Sequence, residues 1–316
     1  MYVGIDISKE TFDVAIPKKE KYTHLKLDNC KAGFEKLLKE LEDVKEIIFV
    51  MEASGPYYLR LATYLHDKGM AVSVVNPLVI RRFCQMRLSR AKTDKKDSKM
   101  ISAYGKAEEP ELWEPESEHV NELRQLQTVE RGLQKSLHIH KRQKEALSET
   151  GKINQQAKQS LEKIIKQLEA EIAKLQQQMH ALVQQHYKEQ FELLTSIPGI
   201  GPKSSMLLIL ITGGFTRFNS YKRLISYVGL SPRIFESGTS VKGRASVCKM
   251  GMGAVRKMLY VCSWSAISCN KACKELYERL KTKGKSGRTA LVAVANKLLK
   301  QAFAIVTKKQ FYTENL

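Results

Sequence analysis

Four carboxylates in the first hundred residues have the types and spacing suited to divalent-cation binding. Asp6 lies within the first apolar run of the chain, and Glu52 directly follows a later one. Asp94 and Asp97 are three residues apart, so a helix over residues 91–104 would place both on one face. Converging carboxylates repel one another unless cations neutralise them, and hard oxygen ligands suit Mg²⁺. Two such ions are the apparatus for in-line phosphodiester displacement.

Two other interpretations of these acidic residues stay open at this point. Asp6 alone would also suit the first strand of a sugar-kinase-type ATPase. The residues that follow it, Ile7-Ser8-Lys9, lack the glycine that such a phosphate-binding turn needs, and no second glycine-rich phosphate loop is found. Asp94 and Asp97 would have a purely structural role if they only paired with the lysines around them.

A polar segment at residues 235–244 lies between two apolar ones and could contact phosphate. Lys242 and Arg244 supply positive charge, and two glycines supply an adaptable backbone. A serine in this segment could attack a phosphodiester and conserve the bond energy in a phosphoserine link, given a base, a metal or stabilisation of the developing charge. Spacing alone does not choose among the candidates, which are Ser237, Ser240, Ser246 and Cys248.

Residues 196–203, SIPGIGPK, have the pattern of a helix-hairpin-helix motif. A turn of glycine, apolar residue and glycine lets the backbone approach a phosphate closely, and the next helix presents unpaired N–H groups there. We therefore predict that Gly199, Gly201 and Lys203 bind nucleic acid, independently of its sequence. A purely structural helix turn is the alternative.

Hydrophobic periodicity predicts the elements that must position these residues. Short apolar runs and helical spacing alternate in the order β-β-β-α-β-α-β, which is typical of an α/β sheet with an antiparallel start. Asp6 and Glu52 would converge if their two strands were neighbours. The predicted elements are strands Tyr2–Ile7, Thr11–Ile16 and Thr23–Leu27, helix Phe34–Leu41, strand Ile47–Met51, helix Tyr57–Leu65 and strand Ala71–Val75.

The middle of the chain predicts two long helices. Apolar residues spaced by four and three, as in a heptad seam, run from Leu161 to Leu182, and a similar helix precedes them and ends near Gly151. An antiparallel hairpin within one chain and a coiled coil between chains are equally compatible with this pattern. We predict an α/β domain at 1–107, a linker at 108–118, a helical coiled-coil region at 119–190 and a mostly helical domain at 191–316.

The positive charge is concentrated in two blocks. The 316 residues contain 53 Lys and Arg against 33 Asp and Glu, a net charge of +20. Residues 81–100 carry +6 and residues 242–300 carry +12, so 79 residues hold nearly the whole surplus. Such local fields attract phosphate backbones, although solvated basic faces are the simpler alternative.

Composition also excludes several classes of protein. No apolar run approaches the roughly 20 residues of a membrane span, and the N-terminal stretch differs from a signal peptide. We therefore expect a cytoplasmic protein. The six cysteines are scattered, without C-x-x-C pairs, so disulfides and structural zinc are not expected.

Several motifs occur in a fixed order along the chain: GIDISK at 4–9, EASG at 52–55, VNP at 75–77, KTDKKD at 92–97, SIPGIG at 196–201, GLSP at 229–232 and ESGTSVKG at 236–243. In this order they resemble the DEDD transposases of the insertion sequence 110 family, from residue 1 to about 300. The resemblance implies an RNase H-like, Holliday-junction-resolvase-like first domain, a coiled-coil middle and a C-terminal transposase domain.

The resemblance also implies roles for individual residues. It assigns the metal-binding quartet to Asp6, Glu52, Asp94 and Asp97, and the nucleophile of a covalent DNA intermediate to Ser237. It further implies Mg²⁺ as cofactor, homodimers that pair into tetramers, and guidance by a bridge RNA. Many relatives have serine where this chain has Cys248.

From these observations we predict a transposase that excises and integrates an insertion sequence. The alternatives are a DNA invertase like the related Piv proteins, a Holliday-junction nuclease that forms no covalent intermediate, and an inactive scaffold that only binds nucleic acid.

Overall fold

The computed structural model describes residues 1–19, 21–88, 93–233, 236–237, 241–242, 246–248 and 250–314, with the backbone alone at 233, 236–237, 241–242 and 246. It is 63% helical and divides into two compact units, Met1–Pro115 and Glu116–Leu316. Each unit has its own hydrophobic core.

The first unit contains a five-stranded mixed sheet, as the sequence predicted. Its order is β3-β2-β1-β4-β5, with β1 antiparallel to β2 and parallel to β4, and β4 parallel to β5. The α/β class and the antiparallel start are thereby confirmed, whereas the RNase H-like assignment stays a prediction. The elements are β1 Tyr2–Ile7, β2 Thr11–Lys18, β3 Lys21–Asp28, α1 Lys31–Lys39, β4 Ile48–Glu52, α2 Tyr58–Asp67, β5 Ala71–Val75, α3 Pro77–Met86 and α4 Asp94–Glu108.

The two faces of β1 have different partners. Val3, Ile5 and Ile7 are buried in the core that also contains residues of α1 and α2. The opposite face carries Tyr2, Gly4 and Asp6, because successive side chains alternate across a strand. Helix α4 lies on this second face, where Ser102 Oγ donates a hydrogen bond to the Tyr2 carbonyl at 2.7 Å.

Gly4 permits this packing, because a Cβ there would collide with backbone atoms of Ser98 and Ser102 in α4. The helix backbone therefore approaches the strand more closely than any side chain allows.

The predicted linker is attached to the first unit. The amide of Trp113 donates to the Val72 carbonyl of β5 at 2.7 Å, and Ser73 Oγ donates to the Glu111 carbonyl at 2.9 Å. Residues 109–115 therefore extend along the edge strand of the sheet.

Among its described residues, the second unit has long and short helices, four two-residue strands and connecting loops. Its elements are α5 Glu118–Ser148, α6 Gln155–His186, α7 Lys188–Thr195, α8 Pro202–Thr212, α9 Tyr221–Val228, β6 Pro232–Arg233, β7 Glu236–Ser237, β8 Val241–Lys242, β9 Ser246–Val247, α10 Gly253–Cys269, α11 Lys271–Thr282 and α12 Gly287–Lys308.

Helices α5 and α6 form an antiparallel hairpin within the chain. Lys141 pairs with Glu169 at 2.6 Å, and Lys144 pairs with Glu162 at 2.7 Å. Ile172, in the middle of the heptad seam, is buried. Of the two alternatives left by the sequence, the seam is thus used inside the chain, while a coiled coil between chains stays a prediction.

One helix of the second unit, α12, is long and apolar enough to cross a membrane by length and composition. Of its most apolar stretch, 56% is buried inside the protein. Leu291, Leu298 and Ile305 are among its residues in the core of this unit.

The contact between Gly4 and α4 predicts that Gly4→Ala lowers the free energy of unfolding by about 1–3 kcal/mol, since backbone atoms of α4 must move. Gly105→Ala, in α4 itself, is the control, because a Cβ there would meet only side-chain atoms, those of Val50 and Tyr2, and no backbone. Its helix propensity gain of about 1 kcal/mol offsets the crowding.

Urea unfolding followed by Trp113 fluorescence, in a Trp264→Phe background that leaves one tryptophan, measures both variants. Equal stabilities of the two glycine variants would contradict the close-packing argument.

Candidate active site

The sheet places Asp6 and Glu52 side by side. Ile5 of β1 lies opposite Met51 of β4, so the next residue of each strand brings the two carboxylates to the same edge. Gly4 and Val50 form another pair of this register, and both face α4. Because strand residues two apart share a face, Asp6 and Glu52 point toward the same side of the sheet as α4.

Helix α4 brings the other two predicted acids to this edge. It runs antiparallel to β1, since its Gly105 lies near Tyr2 and its Ser98 lies near Gly4. The first turn, which contains Asp94 and Asp97, therefore lies toward the Asp6 end of the strand. Thr93 caps the helix by accepting a hydrogen bond from the Lys96 amide at 3.3 Å. Negative charge is favourable in the first turn of a helix.

The electrostatics show that these carboxylates share one neighbourhood. The pKa of Asp6 rises from an ordinary 3.8 to about 6, chiefly because burial disfavours the charged form. The negative charges of Asp97, Glu52, Asp94 and Asp13 raise the Asp6 pKa further, in that order. The structure thus brings together all four predicted carboxylates, whose roles stay predictions.

Two further side chains border the cluster. Ser54 Oγ donates a hydrogen bond to Glu52 Oε1 at 2.6 Å and so orients this carboxylate. Burial, followed by the charges of Asp97 and Glu52, raises the pKa of the Cys84 thiol, which places this residue of α3 at the wall of the site.

Sequence reasoning missed a fifth carboxylate, Asp13. It lies opposite Asp6 in the β1–β2 pair, is only 6% exposed, and interacts with His24 Nε2 at 2.7 Å. Its position inside the apolar run of β2 was the available signal, because an acidic residue is seldom buried without a partner.

The donor chemistry of this cluster fits a divalent cation. Carboxylate oxygens are the ligands that Mg²⁺ prefers, and the charges of Asp97, Glu52 and Asp94 all act on the partly buried Asp6. Among the described residues, no three acidic, histidine or cysteine side chains stand close enough together to hold an ion as they are. Ion binding would therefore require these side chains to draw together.

The backbone of Ser237 lies in a short β-ladder of the second unit. Ser237 of β7 pairs with Val241 of β8, and Glu236 pairs with Lys242. Ser237 and Lys242, both identified from the sequence, are thus on neighbouring strands. The third, Arg244, lies outside the described residues, as does the alternative Ser240.

The base of the segment that carries Ser237 is tightly packed. Gly229 has a φ of 79°, and a Cβ there would lie 2.7 Å from Arg256 Nη1 and 2.8 Å from the Cys248 carbonyl. Arg256 Nη1 donates to the Val228 carbonyl at 2.9 Å. The Cys248 amide donates to the Ser231 carbonyl at 2.9 Å, beside the β6–β9 pair. These bonds fix both ends of the segment that carries Ser237.

The two glycines of the predicted helix-hairpin-helix have different surroundings. Gly199 has a φ of 101°, and a Cβ there would lie 2.7 Å from the Ala266 Cβ, so this glycine serves packing against α10. Gly201 precedes α8 and has no neighbour within 4 Å of its Cβ position. Lys203, in the first turn of α8, is exposed. Gly201 and Lys203 are thus the accessible part of the motif.

Two family models match the chain. The model of the IS110 DEDD transposases, described as "Transposase", matches residues 3–152, and the model described as "Transposase IS116/IS110/IS902 family" matches residues 191–278. The first match includes the four carboxylates, and the second includes the predicted helix-hairpin-helix and Ser237. The chain belongs to the IS110 family of transposases.

Individual relatives agree with this assignment. The pilin gene-inverting proteins of Moraxella lacunata and Moraxella bovis are each 28% identical, over 100% of this chain and 98% of their own. An IS110 insertion-element protein of Streptomyces coelicolor, of 43.6 kDa, is 28% identical over 45% of this chain and 34% of its own. The family acts in DNA recombination, and DNA is the partner it implies.

The raised pKa of Asp6 predicts how stability depends on pH without metal. Because the folded protein holds this proton up to about pH 6 and the unfolded chain only to about 3.8, stability falls as pH rises through that window. Asp6→Asn lacks this titrating group and should not show this decline. The free energy of unfolding of Asp6→Asn minus that of wild type should therefore increase from pH 4 to pH 7.

Urea unfolding in EDTA, followed by Trp113 fluorescence as above, measures the difference. Asp43→Asn, which removes an exposed carboxylate of the same unit, corrects for the loss of one negative charge. Parallel pH profiles for wild type and Asp6→Asn would show that the Asp6 carboxyl is not perturbed.

Proposed function

We propose that this chain is a Mg²⁺-dependent DNA recombinase that excises and integrates an insertion sequence through a covalent phosphoserine–DNA intermediate. The observation that carries the proposal is the convergence of four carboxylate charges on Asp6 in a chain of a transposase family.

In this proposal Asp6, Glu52, Asp94 and Asp97 hold the divalent ions. The bound ions would neutralise these carboxylates and stabilise the charge that develops on the scissile phosphate. Ser54 keeps Glu52 oriented, and the N-terminus of α4 favours ionised carboxylates in its first turn.

Ser237 is the proposed nucleophile. Its hydroxyl oxygen forms a bond to phosphorus, the bond to the leaving strand's hydroxyl breaks, and the hydroxyl proton moves to that leaving oxygen or to solvent. The reverse attack by a strand hydroxyl reseals DNA, so no ATP is consumed. Lys242 and Arg244 would bind the phosphate that Ser237 attacks. The fixed base formed by Gly229, Arg256 and Cys248 supports this role, because a nucleophile must be held in position.

DNA inversion is the second candidate function. It is favoured by the similarity to the pilin gene-inverting proteins, which extends over the whole chain. Inversion and excision use the same bond exchanges and differ in the relative orientation of the recombining sites. A cellular reporter with sites in both orientations separates the two.

Guidance by a bridge RNA and assembly of homodimers into tetramers complete the proposal. The basic block at 242–300 offers a surface for a second polyanion. The buried part of the heptad seam is occupied within the hairpin, so a partner chain would contact its outer surface, where Val129, Ile139 and Ile164 are exposed. One subunit's carboxylates would then serve another subunit's serine.

Replacing the nucleophile tests the covalent step. Ser237→Ala should abolish recombination of a reporter that carries the native flanking DNA, and should abolish a DNA–protein adduct that survives denaturing electrophoresis. The variant should still bind DNA, because only the attacking hydroxyl is lost.

Cys248→Ser, which introduces the residue of many relatives, is the control and should retain the adduct. If Ser237→Ala still cleaves DNA in the presence of Mg²⁺, the protein is a junction nuclease that uses water.

The accessible part of the helix-hairpin-helix predicts a change in the salt dependence of DNA binding. Lys203→Ala should reduce the slope of log K against log salt by about 0.9 on duplex DNA, since one phosphate contact is lost. Lys152→Ala, on the exposed loop between α5 and α6, is the matched control and should leave the slope unchanged. Fluorescence anisotropy measures the slope between roughly 50 and 200 mM salt. Equal slopes for Lys203→Ala and wild type would contradict a phosphate contact by Lys203.

A further inference from the structure

Helix α3 begins at the edge of the sheet that carries the carboxylates and packs beside α4, where Ile80 and Ile101 share one core cluster. It starts directly after β5, whose last residue, Val75, lies opposite Glu52. Asn76 Oδ1 caps this start by accepting from the Leu78 amide at 2.9 Å. Cys84, near the other end, experiences the charges of Asp97 and Glu52. DNA whose phosphate reaches these carboxylates must therefore pass close to α3.

The end of α3 presents large apolar side chains to solvent. Met86 is 65% exposed and Leu88 is 81% exposed, the highest values among the large apolar side chains that the structure describes. Both lie in the basic block at 81–100, and Arg82 and Arg87 flank them on the surface. Apolar side chains that stand together on a surface rimmed by polar residues are typical of an interaction site.

Local interactions hold this end in a defined conformation. The Leu88 amide donates to the Gln85 carbonyl at 3.1 Å, and Leu88 has a φ of 53°, which is uncommon for a residue other than glycine. The Arg87 guanidinium lies 5.3 Å from the centroid of the buried Phe83 ring, and Arg82 Nη1 donates to Gln85 Oε1 at 3.1 Å. The backbone at Leu88 is therefore held by local interactions.

We propose that Met86 and Leu88 form a wedge that enters the base stack of duplex DNA beside the strand processed at the carboxylates, while Arg82 and Arg87 bind the flanking phosphates. Apolar side chains inserted between base steps unstack them and bend the duplex, and basic neighbours supply the affinity. The wedge would expose the strand that must be exchanged. This inference rests on the proposed recombinase function, because it needs DNA at the carboxylate edge.

Charge favours DNA over a second copy of this chain as the occupant. A two-fold contact through α3 would bring Arg81, Arg82 and Arg87 of one copy against the same residues of the other, since such an interface pairs a surface with itself. The repulsion between these arginines opposes that contact, whereas a phosphate backbone neutralises them.

Fluorescence of 2-aminopurine tests the wedge. The base analogue is placed at the branch point of a synthetic four-way DNA junction, and binding is followed in EDTA so that no strand is cut. Wild type should increase the fluorescence on binding, because unstacked 2-aminopurine is brighter. The double variant Met86→Ala, Leu88→Ala should lose at least half of this increase at saturation and bind the junction with nearly wild-type affinity.

Two controls make the result specific. Phe311→Ala removes another side chain of similar exposure, 60%, and should behave as wild type. Arg82→Gln should weaken binding and leave the fluorescence of the bound complex unchanged, because it removes a phosphate contact and not the wedge.

Three results would overturn the inference. The first is an equal fluorescence increase for the double variant and wild type. The second is no increase for wild type at saturating binding. The third is a loss of self-association of the double variant by light scattering, with its fluorescence increase unchanged. The last result would assign the face to contacts between copies. Failure of wild type to bind the junction at all would instead count against the recombinase function on which the wedge depends.

Discussion

Repulsion among carboxylates at one edge of the sheet is the constraint on which the rest of the first unit depends. Asp6 is partly buried, and the charges of Asp97, Glu52 and Asp94 act on it together. Such an arrangement is unfavourable by itself, so it persists only because the surrounding packing imposes it. The parallel β1–β4 register fixes two of the acids, and the approach of α4 over Gly4 fixes the others. A cation is the simplest means of relieving the repulsion.

The second unit holds the base of the segment that carries Ser237 in place. Ser237 lies on a two-residue strand, too short to be stable through its own hydrogen bonds. The segment is fixed at its base by two glycines. Gly229, at the end of α9, and Gly251, just before α10, let the two stretches of backbone come into contact. In the proposed function, these fixed ends keep the nucleophile Ser237 in a constant location.

The sequence was sufficient for those features that follow from local periodicity. The strands of the first unit, the long helices and the carboxylate quartet were predicted because alternation and helical spacing identify faces. Asp13 was missed because its partner, His24, lies on another strand. Helix α3 was missed because Arg81 and Arg82 interrupt its few apolar residues. The choice between a hairpin and an intermolecular coil was undetermined, because a heptad seam does not specify which helix covers it.

The central claim, that the carboxylate cluster is a divalent-metal site, is tested most directly by titrating metal-free protein with Mg²⁺ at pH 7.5 and recording the unfolding temperature. Wild type should become more stable with increasing Mg²⁺, because ions bind the folded state, and Glu52→Gln should respond much less. If Mg²⁺ leaves the stability of wild type unchanged, or stabilises Glu52→Gln equally, the carboxylates are not a metal site and the proposed chemistry of the first unit is wrong.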